Sequence, residues 1–185
     1  MFRHLAEEAS VPVVAHLDHG YTFEDCKIAL DSGFTSLMFD GSRKALQHNI
    51  DETAAVVEMA HAADASCEGE IGFVGYANGD KSDGTDPAEA AIFARESGVD
   101  AMAISVGNVH LQKDKEGGLD EGRIMEIQAN TTVPLVIHGG SGVPVAQRAL
   151  LSQNSSICKF NIGTELRMAF GCLLYTSPSP RDHQP

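Results

Sequence analysis

Several features that would each point to a particular class of protein are scarce in this sequence. It has no tryptophan, and aromatic residues make up 6% of its 185 residues. No run approaches the roughly 20 apolar residues that a membrane-spanning helix needs, and the N-terminal segment lacks the pattern of a secretory signal peptide. The sequence therefore predicts a cytoplasmic protein that does not enter a membrane.

Positive charge is scarce as well. The chain carries 13 lysine and arginine residues against 26 aspartate and glutamate residues, which gives a formal net charge of −13. Proteins that bind nucleic acid or an anionic membrane need a basic face, so neither is an expected partner. A small anionic substrate is compatible with this charge, because a few backbone N–H groups at helix N-termini can hold it.

The cysteines show no CxxC spacing. In a chain without secretory signals this favours reduced thiols. Cys67 and Cys158 fall in apolar, strand-like runs, where cysteine usually acts as a small core residue. Both are therefore predicted to be buried.

Short apolar runs alternate with amphipathic segments along the chain. Near-continuous apolar character over so few residues is typical of parallel strands covered on both faces. The predicted strands are residues 11–15, 36–39, 65–70, 100–106, 135–137 and 157–161. Helix starts are predicted near Thr22, Asn49 and Asp86, and helix ends at Gly33 and Gly98.

The repeated strand–helix unit predicts an α/β protein with a parallel sheet and right-handed crossovers. Two layouts agree with this pattern, an open doubly wound sheet or a barrel. Six units are too few for an eight-stranded barrel, so the alternative to an open sheet is a fragment of a barrel.

After residue 171 the sequence reads CLLYTSPSPRDHQP, which is similar to a vector-derived translation. Residues 1–171 are predicted to form the domain, and residues 172–185 a non-native, disordered tail.

Polar residues cluster where the predicted strands end. Successive parallel strands bring their C-terminal ends to one rim, which is where ligands bind. Three imidazoles from separate strands, with a fourth position left open, are typical of a catalytic zinc site. Taken singly, each histidine could be an ordinary hydrogen-bonded residue, but the group as a whole favours zinc. The cluster comprises His16, Asp18, His19, Asp40, Glu68, Glu70, His110 and His138, and we expect His16 to orient the site from beneath.

Two glycine-containing turns follow the last two predicted strands. Each leaves backbone N–H groups that can meet an anion, and barrel enzymes often bind phosphate with the loops after strands seven and eight. If these turns are the loops after strands seven and eight, then the two βα units missing from an eight-stranded barrel are the first two. The candidate phosphate-binding residues are Gly139, Gly140, Ser141, Asn161, Ile162, Gly163 and Thr164.

The motifs HLDHG, MFDGS, CEGEIG, VIHGGSG and FNIGTE together resemble the class II fructose- and tagatose-bisphosphate aldolases. The resemblance runs from about residue 11 to residue 170 and keeps the family's order and spacing. It implies a (β/α)₈ TIM barrel, present here in part as six βα units that correspond to strands 3 to 8. The first two βα units would then be absent from this chain.

The resemblance also implies roles for individual residues. The catalytic zinc ligands would be His19, His110 and His138. Asp18 would protonate the aldehyde oxygen in condensation and take that proton back in cleavage, and the two glycine turns would hold dihydroxyacetone phosphate. Asp40 and Glu70 would hold a second or alternative metal. The implied activity is the reversible cleavage of a ketose bisphosphate, such as fructose- or tagatose-1,6-bisphosphate, through a zinc-stabilised enediolate.

The sequence departs from the family pattern near the site. Leu111 follows the second histidine cluster, where relatives often have a glycine that lies near substrate phosphate and a monovalent cation. In the loop after the third strand, Tyr76 replaces a glycine, and Asn78 stands where the first loop carboxylate, the enolising base, is expected. Asp80 or Asp83 could substitute for that base.

Two other functions stay open at this point. One is a non-catalytic scaffold that binds zinc and sugar phosphate, and the other is a metal-free phosphosugar isomerase or epimerase, which would leave three rim histidines unexplained.

Lys159 on the last strand is predicted to face outward or to lie near phosphate, because a Schiff-base lysine needs a desolvated pocket. Full-length relatives imply a homo-oligomer, and a partial barrel predicts exposed strand edges that invite association.

Overall fold

The computed structural model describes residues 2–77, 79, 81–111 and 118–176. Six strands alternate with helices, as the sequence pattern predicts. In chain order the elements are α1 (Phe2–Glu8), β1 (His16–Gly20), α2 (Phe23–Asp31), β2 (Ser36–Phe39), α3 (Leu46–Ala62), β3 (Ser66–Ile71), α4 (Pro87–Ser97), β4 (Ala101–Ile104), α5 (Glu121–Asn130), β5 (Leu135–Ile137), α6 (Val145–Asn154), β6 (Ile157–Phe160) and α7 (Thr164–Thr176).

All six strands are parallel, and each pairs with its neighbour in sequence, in the order β1-β2-β3-β4-β5-β6. A doubly wound sheet would instead reverse its strand order at a switch point, so the open layout is excluded. The sheet curves, because side chains of its first and last strands meet: the Lys159 Nζ on β6 lies 3.3 Å from His16 Nε2 on β1. The fold is an α/β half-barrel of parallel strands.

The helices pack on the outer face of this half-barrel. The main core lies between sheet and helices and includes Leu37 and Phe39 of β2, Phe93 of α4 and Ile124 of α5, all 0% exposed. Within the part of the chain that the structure describes, the apolar cluster on the inner face is small and consists of Met38, Ala103 and Val136. The concave side is therefore left for polar side chains.

Two predicted boundaries are wrong. Residues 11–15 do not form the first strand, and Val11 and Val14 are each 63% exposed. The strand is the polar segment His16–Gly20 itself. Helix α3 begins before Asn49, which is buried inside the helix and donates from Nδ2 to the Glu70 carbonyl oxygen at 2.8 Å.

The other helix signals are confirmed. Thr22 and Asp25 form a reciprocal capping box at the start of α2, and the Asp86 side chain accepts from the backbone N–H groups of Ala88 and Glu89. Gly98 ends α4 with a φ of 73°, in the left-handed region that glycine adopts without a steric cost.

The burial of the cysteines follows the prediction in part. Cys67 is buried, but Cys158 on β6 is exposed, because β6 stands at the edge of the sheet in the described residues.

Helix α7 continues to Thr176, so the predicted boundary after residue 171 falls inside a helix. Residues 177–185 lie outside the described residues, and the division into domain and tail stays a prediction. Among the described helices, none combines the length and apolar character needed to cross a membrane.

Candidate metal centre

Three histidines converge at the C-terminal rim of the half-barrel. His19 is the penultimate residue of β1, His110 follows β4 and His138 follows β5. Their ring centroids lie 5.3 Å (His19 to His110), 4.7 Å (His19 to His138) and 5.7 Å (His110 to His138) apart. One nitrogen from each ring lies within 4.8 Å of the other two. The structure thus brings together the three residues that the sequence singled out.

The backbone of His19 is itself unusual. Its φ is 58°, a left-handed conformation that costs a non-glycine residue about 1 kcal/mol or more. The strained turn directs the imidazole towards His110 and His138 rather than along the regular alternation of the strand. Such strain is typical of functional positions.

Carboxylates set the tautomers of two of these imidazoles. His19 Nδ1 lies 2.8 Å from Asp40 Oδ2, and His138 Nε2 lies 3.0 Å from Glu68 Oε1. An ionised carboxylate only accepts hydrogen bonds, so these nitrogens carry the hydrogen. The opposite nitrogens, His19 Nε2 and His138 Nδ1, are 3.1 Å apart. Two lone pairs face each other there, which is the arrangement that a cation between them stabilises.

The pKa values of the imidazoles agree with this arrangement. Burial lowers the pKa of His110 to about 4, with the neighbouring histidines adding to the effect, so its ring is neutral and keeps a free lone pair near pH 7. Burial also works against charge on His19, but its hydrogen bond to Asp40 and the nearby carboxylates raise the pKa of His19 above its ordinary value.

Glu70 supplies an independent sign that a cation belongs here. Its side chain is 1% exposed, and burial, followed by the charge of Asp40, raises the pKa of Glu70 to about 8. Its Oε2 atom makes no hydrogen bond within the described part of the chain and lies 3.4 Å from His138 Nδ1. A buried oxygen without a partner costs about 1–3 kcal/mol, and a bound divalent cation would satisfy it.

A second possible ligand group shares one member with the first. His19, Asp40 and Glu70 also offer ligand atoms within 4.8 Å of one another. Both oxygens of Asp40 already accept hydrogen bonds, Oδ2 from His19 and Oδ1 from the Ser42 backbone and hydroxyl. In this arrangement Asp40 orients His19.

Glu68 contacts the histidine cluster from a position to which the sequence assigned no role. It is 4% exposed and connects His138 to Lys159, whose Nζ lies 2.5 Å from Glu68 Oε2. Burial works against ionisation, but the His138 hydrogen bond and the Lys159 charge lower the pKa of Glu68 overall. The spacing in CEGE could have indicated this, because residues two apart on a strand share a face and Glu68 therefore faces the same side as Glu70.

Lys159 does not face outward, so the first of the two positions predicted for it is wrong. It points into the half-barrel and pairs with Glu68, because β6 alternates and residue 159 falls on its inner face. His16 lies beneath the metal centre as expected, with Nδ1 2.8 Å from the Ser36 hydroxyl and Nε2 accepting from Lys159.

A cavity opens beside His110, between the two glycine turns. Its wall includes Gly139, Ser141, Asn161, Gly163 and Thr164, together with Asp18 and Arg167. Gly140 and Ile162 belong to the same turns without lining the cavity. The Gly140 N–H donates to the Asn161 carbonyl oxygen at 2.9 Å, so this group joins the two turns instead of pointing at a ligand.

Gly139 is needed for this close approach. It has a φ of 64°, and a Cβ at this position would lie 2.3 Å from the Val109 carbonyl oxygen. No side chain could be accommodated there without moving backbone. Across the cavity, Asp18 Oδ1 accepts a hydrogen bond from Asn161 Nδ2 at 3.1 Å and lies 3.9 Å from His19 Nε2.

The positions that depart from the resemblance have structural consequences. Tyr76 stacks on His110, with ring centroids 5.0 Å apart and planes at 27°. Leu111 is 55% exposed and has a φ of 59°, which explains why glycine suits this position. Asn78 and Asp80 lie outside the described residues, and Asp83 is exposed, with its backbone N–H bonded to the Phe73 carbonyl oxygen.

Comparison with known proteins agrees with these features. The family model of fructose-bisphosphate aldolase class-II matches residues 1–182. The chain is 44% identical over 170 residues to the 6-phospho-5-dehydro-2-deoxy-D-gluconate aldolase of Shouchella clausii, covering 87% of this chain and 56% of that protein. It is 40% identical over 166 residues to the fructose-bisphosphate aldolase of Geobacillus stearothermophilus, covering 87% and 57%. The chain therefore spans little more than half the length of these relatives.

A solved structure shows the same fold. The YdjI aldolase of Escherichia coli superposes with a TM-score of 0.81 at 33% sequence identity, over 93% of this chain and 61% of that one. The family model matches nearly the whole chain, and this shows the relationship. The chain belongs to the class-II fructose-bisphosphate aldolase family.

Proposed function

We propose that this chain carries the metal centre and the phosphate site of a metal-dependent aldolase, which reversibly cleaves a phosphorylated ketose into dihydroxyacetone phosphate and an aldehyde. The observation that carries the proposal is the facing pair of lone pairs on His19 and His138, with their tautomers set by Asp40 and Glu68. This arrangement adjoins a cavity lined by the two glycine turns.

In this proposal His19, His110 and His138 hold a catalytic zinc ion. Zinc accepts three imidazole nitrogens and keeps a fourth position open, and the neutral His110 and the unpaired Glu70 oxygen suit a divalent cation. When bound, zinc supplies Lewis acidity that polarises a substrate carbonyl. Asp40 and Glu70, with His19, would accept a second or alternative cation.

The chain's own residues position the substrate and move a proton. Asp18 lines the cavity and is held by Asn161. Its protonated carboxyl group can give a proton to the aldehyde oxygen in condensation, and the resulting carboxylate takes that proton back from the hydroxyl in cleavage. Ser141, Gly163 and Thr164 surround the expected place of the phosphate. We assign β1 to β6 as strands 3 to 8 of the complete barrel, which puts the glycine turns after strands 7 and 8, where barrel enzymes bind phosphate.

The names of the two relatives suggest the substrates to test. They name fructose-bisphosphate and 6-phospho-5-dehydro-2-deoxy-D-gluconate, and tagatose-1,6-bisphosphate is a third candidate. We expect the zinc-loaded chain to release dihydroxyacetone phosphate from fructose- or tagatose-1,6-bisphosphate in a coupled assay, and a chelator to abolish that release. Stoichiometric zinc without turnover on any of the three would favour a binding scaffold, and isomerase activity that survives the chelator would contradict the metal centre.

The Glu68 network makes a separate prediction. Replacing Glu68 by glutamine should weaken zinc binding roughly 10- to 100-fold, because residues that orient a ligand histidine typically contribute that much. Isothermal titration with zinc measures the effect directly. Glu58→Gln makes the same chemical change at an exposed site on α3 and should leave zinc affinity unchanged. Equal zinc affinities for Glu68→Gln and the parent chain would show that Glu68 does not orient His138.

A further inference from the structure

We propose that Arg167 supplies the positive charge that holds the substrate phosphate between the two glycine turns. This inference rests on the proposed function and adds a specificity-determining residue to it. The sequence motifs gave Arg167 no role, since it stands beyond the FNIGTE turn. Its side chain nevertheless lines the same cavity as Ser141, Asn161 and Gly163.

The first turn of α7 places the guanidinium over the glycine turn. The Arg167 backbone N–H donates to the Gly163 carbonyl oxygen at 3.0 Å, and Nη2 donates to Thr164 Oγ1 at 3.3 Å. The side chain is exposed but folds back towards the start of its own helix, at the edge of the cavity.

Gly163 leaves the space that this conformation needs. A Cβ at residue 163 would lie 3.1 Å from Arg167 Nη1, 3.4 Å from Nη2 and 3.5 Å from Cζ. The shortest of these distances is tighter than an ordinary contact, so the guanidinium lies next to the turn at Gly163. The glycine and the arginine thus form one unit, with the donors of the guanidinium at the mouth of the cavity.

The charge balance of the cavity calls for such a group. A phosphate ester carries close to two negative charges near neutral pH, and the chain has a formal net charge of −13. Asp18 on the same wall is also acidic. The N-terminus of α7 contributes only a partial positive charge, whereas arginine offers a permanent charge and a fork of donors that matches phosphate oxygens.

Neighbouring cations are already paired. Arg148 Nη2 lies 3.0 Å from Glu165 Oε2, and Lys159 is bound to Glu68 inside the half-barrel. Among the described residues that line the cavity, Arg167 is the one permanent cation. It therefore has both the position and the charge to recognise a dianion.

Calorimetric titration of the zinc-loaded chain with dihydroxyacetone phosphate tests the inference. Arg167→Met should weaken binding of dihydroxyacetone phosphate roughly 10- to 100-fold, as expected for loss of a charged hydrogen bond. Arg167→Lys, which keeps the charge but loses the fork, should lie between Arg167→Met and the parent chain. Binding of unphosphorylated dihydroxyacetone and of zinc should not change in either variant.

Arg95→Met is the matched control, because Arg95 is an exposed arginine on α4 that pairs with Glu96 away from the cavity. It should bind dihydroxyacetone phosphate like the parent chain. If Arg167→Met bound dihydroxyacetone phosphate within about twofold of the parent chain, the role of Arg167 would be overturned, but the proposed phosphate site would not. An equal loss for dihydroxyacetone, or a loss of zinc affinity, would make its role structural and would overturn it as well. No binding of dihydroxyacetone phosphate by the zinc-loaded parent would overturn the phosphate site together with this inference.

Discussion

Replacing His138 by alanine is expected to abolish the stabilisation that zinc gives to this chain. Zinc at about a thousand times its dissociation constant should stabilise the parent chain by about 4 kcal/mol, which for a chain of this size raises Tm by roughly 8–16 °C. His138 is 0% exposed and faces His19 across 3.1 Å, so its loss leaves an incomplete ligand set. Thermal unfolding with and without zinc measures the difference.

The matched control is His48→Ala, which removes an exposed imidazole from α3 and should leave the zinc-dependent shift intact. Because His138 is buried, His138→Gln serves as a second variant that retains more of the side-chain volume and should also show no zinc-dependent shift. Far-UV circular dichroism establishes that each variant is folded. A variant at residue 138 that is folded and still stabilised by zinc as strongly as the parent would contradict the proposed ligand set.

Replacing Asp18 by asparagine is expected to lower kcat for cleavage of a ketose bisphosphate by about 10²–10⁴-fold, the usual contribution of a positioned acid–base group. Asparagine keeps an oxygen that can accept from Asn161 Nδ2, so the geometry of the cavity should persist. It cannot exchange a proton with the aldehyde oxygen. Zinc content and binding of dihydroxyacetone phosphate should therefore stay close to those of the parent chain.

Steady-state kinetics on the substrate with the highest turnover measures kcat for Asp18→Asn and for the parent chain. Asp31→Asn makes the same change at an exposed position at the end of α2 and should leave kcat unaltered. If Asp18→Asn retained kcat within about threefold of the parent chain, Asp18 would not be the proton donor and another group at the rim would have to fill that role.

Strands that are apolar on both faces were predicted correctly from the sequence. Ser36–Phe39 and Leu135–Ile137 match the predicted residues, because a buried parallel strand has no polar side to obscure it. β1 fails this rule. Its inner face carries polar side chains such as His16, so the strand looks like a loop, while the exposed valines before it look like a strand.

The three ring positions of the metal centre were predictable because each histidine lies at or shortly after the C-terminal end of a parallel strand, and such ends share a rim. The structure brings Asp40 and Glu70 next to them as well. The contact between Lys159 and Glu68 behind these residues was harder to predict from the sequence. Lys159 and Glu68 lie on strands far apart in sequence and meet only because the sheet curves, and that curvature has no local sequence signal.

Arg167 and Tyr76 illustrate a second limit. The Arg167 side chain lies next to the turn at Gly163, and Tyr76 reaches His110 through an isolated bridge between two loops. Neither contact follows from alternation or from helix periodicity. Both depend on loop geometry, which the sequence pattern specifies least.

The most direct test of the metal centre is X-ray absorption at the zinc edge of the chain loaded with one equivalent of zinc. The structure predicts a first shell of nitrogen and oxygen at about 2.0–2.1 Å, with outer-shell scattering from three imidazoles. His138→Gln, which is not expected to hold zinc, should lack this imidazole scattering. A spectrum with sulfur at about 2.3 Å, or failure of the folded chain to retain zinc, would contradict the assignment of His19, His110 and His138 as the ligands.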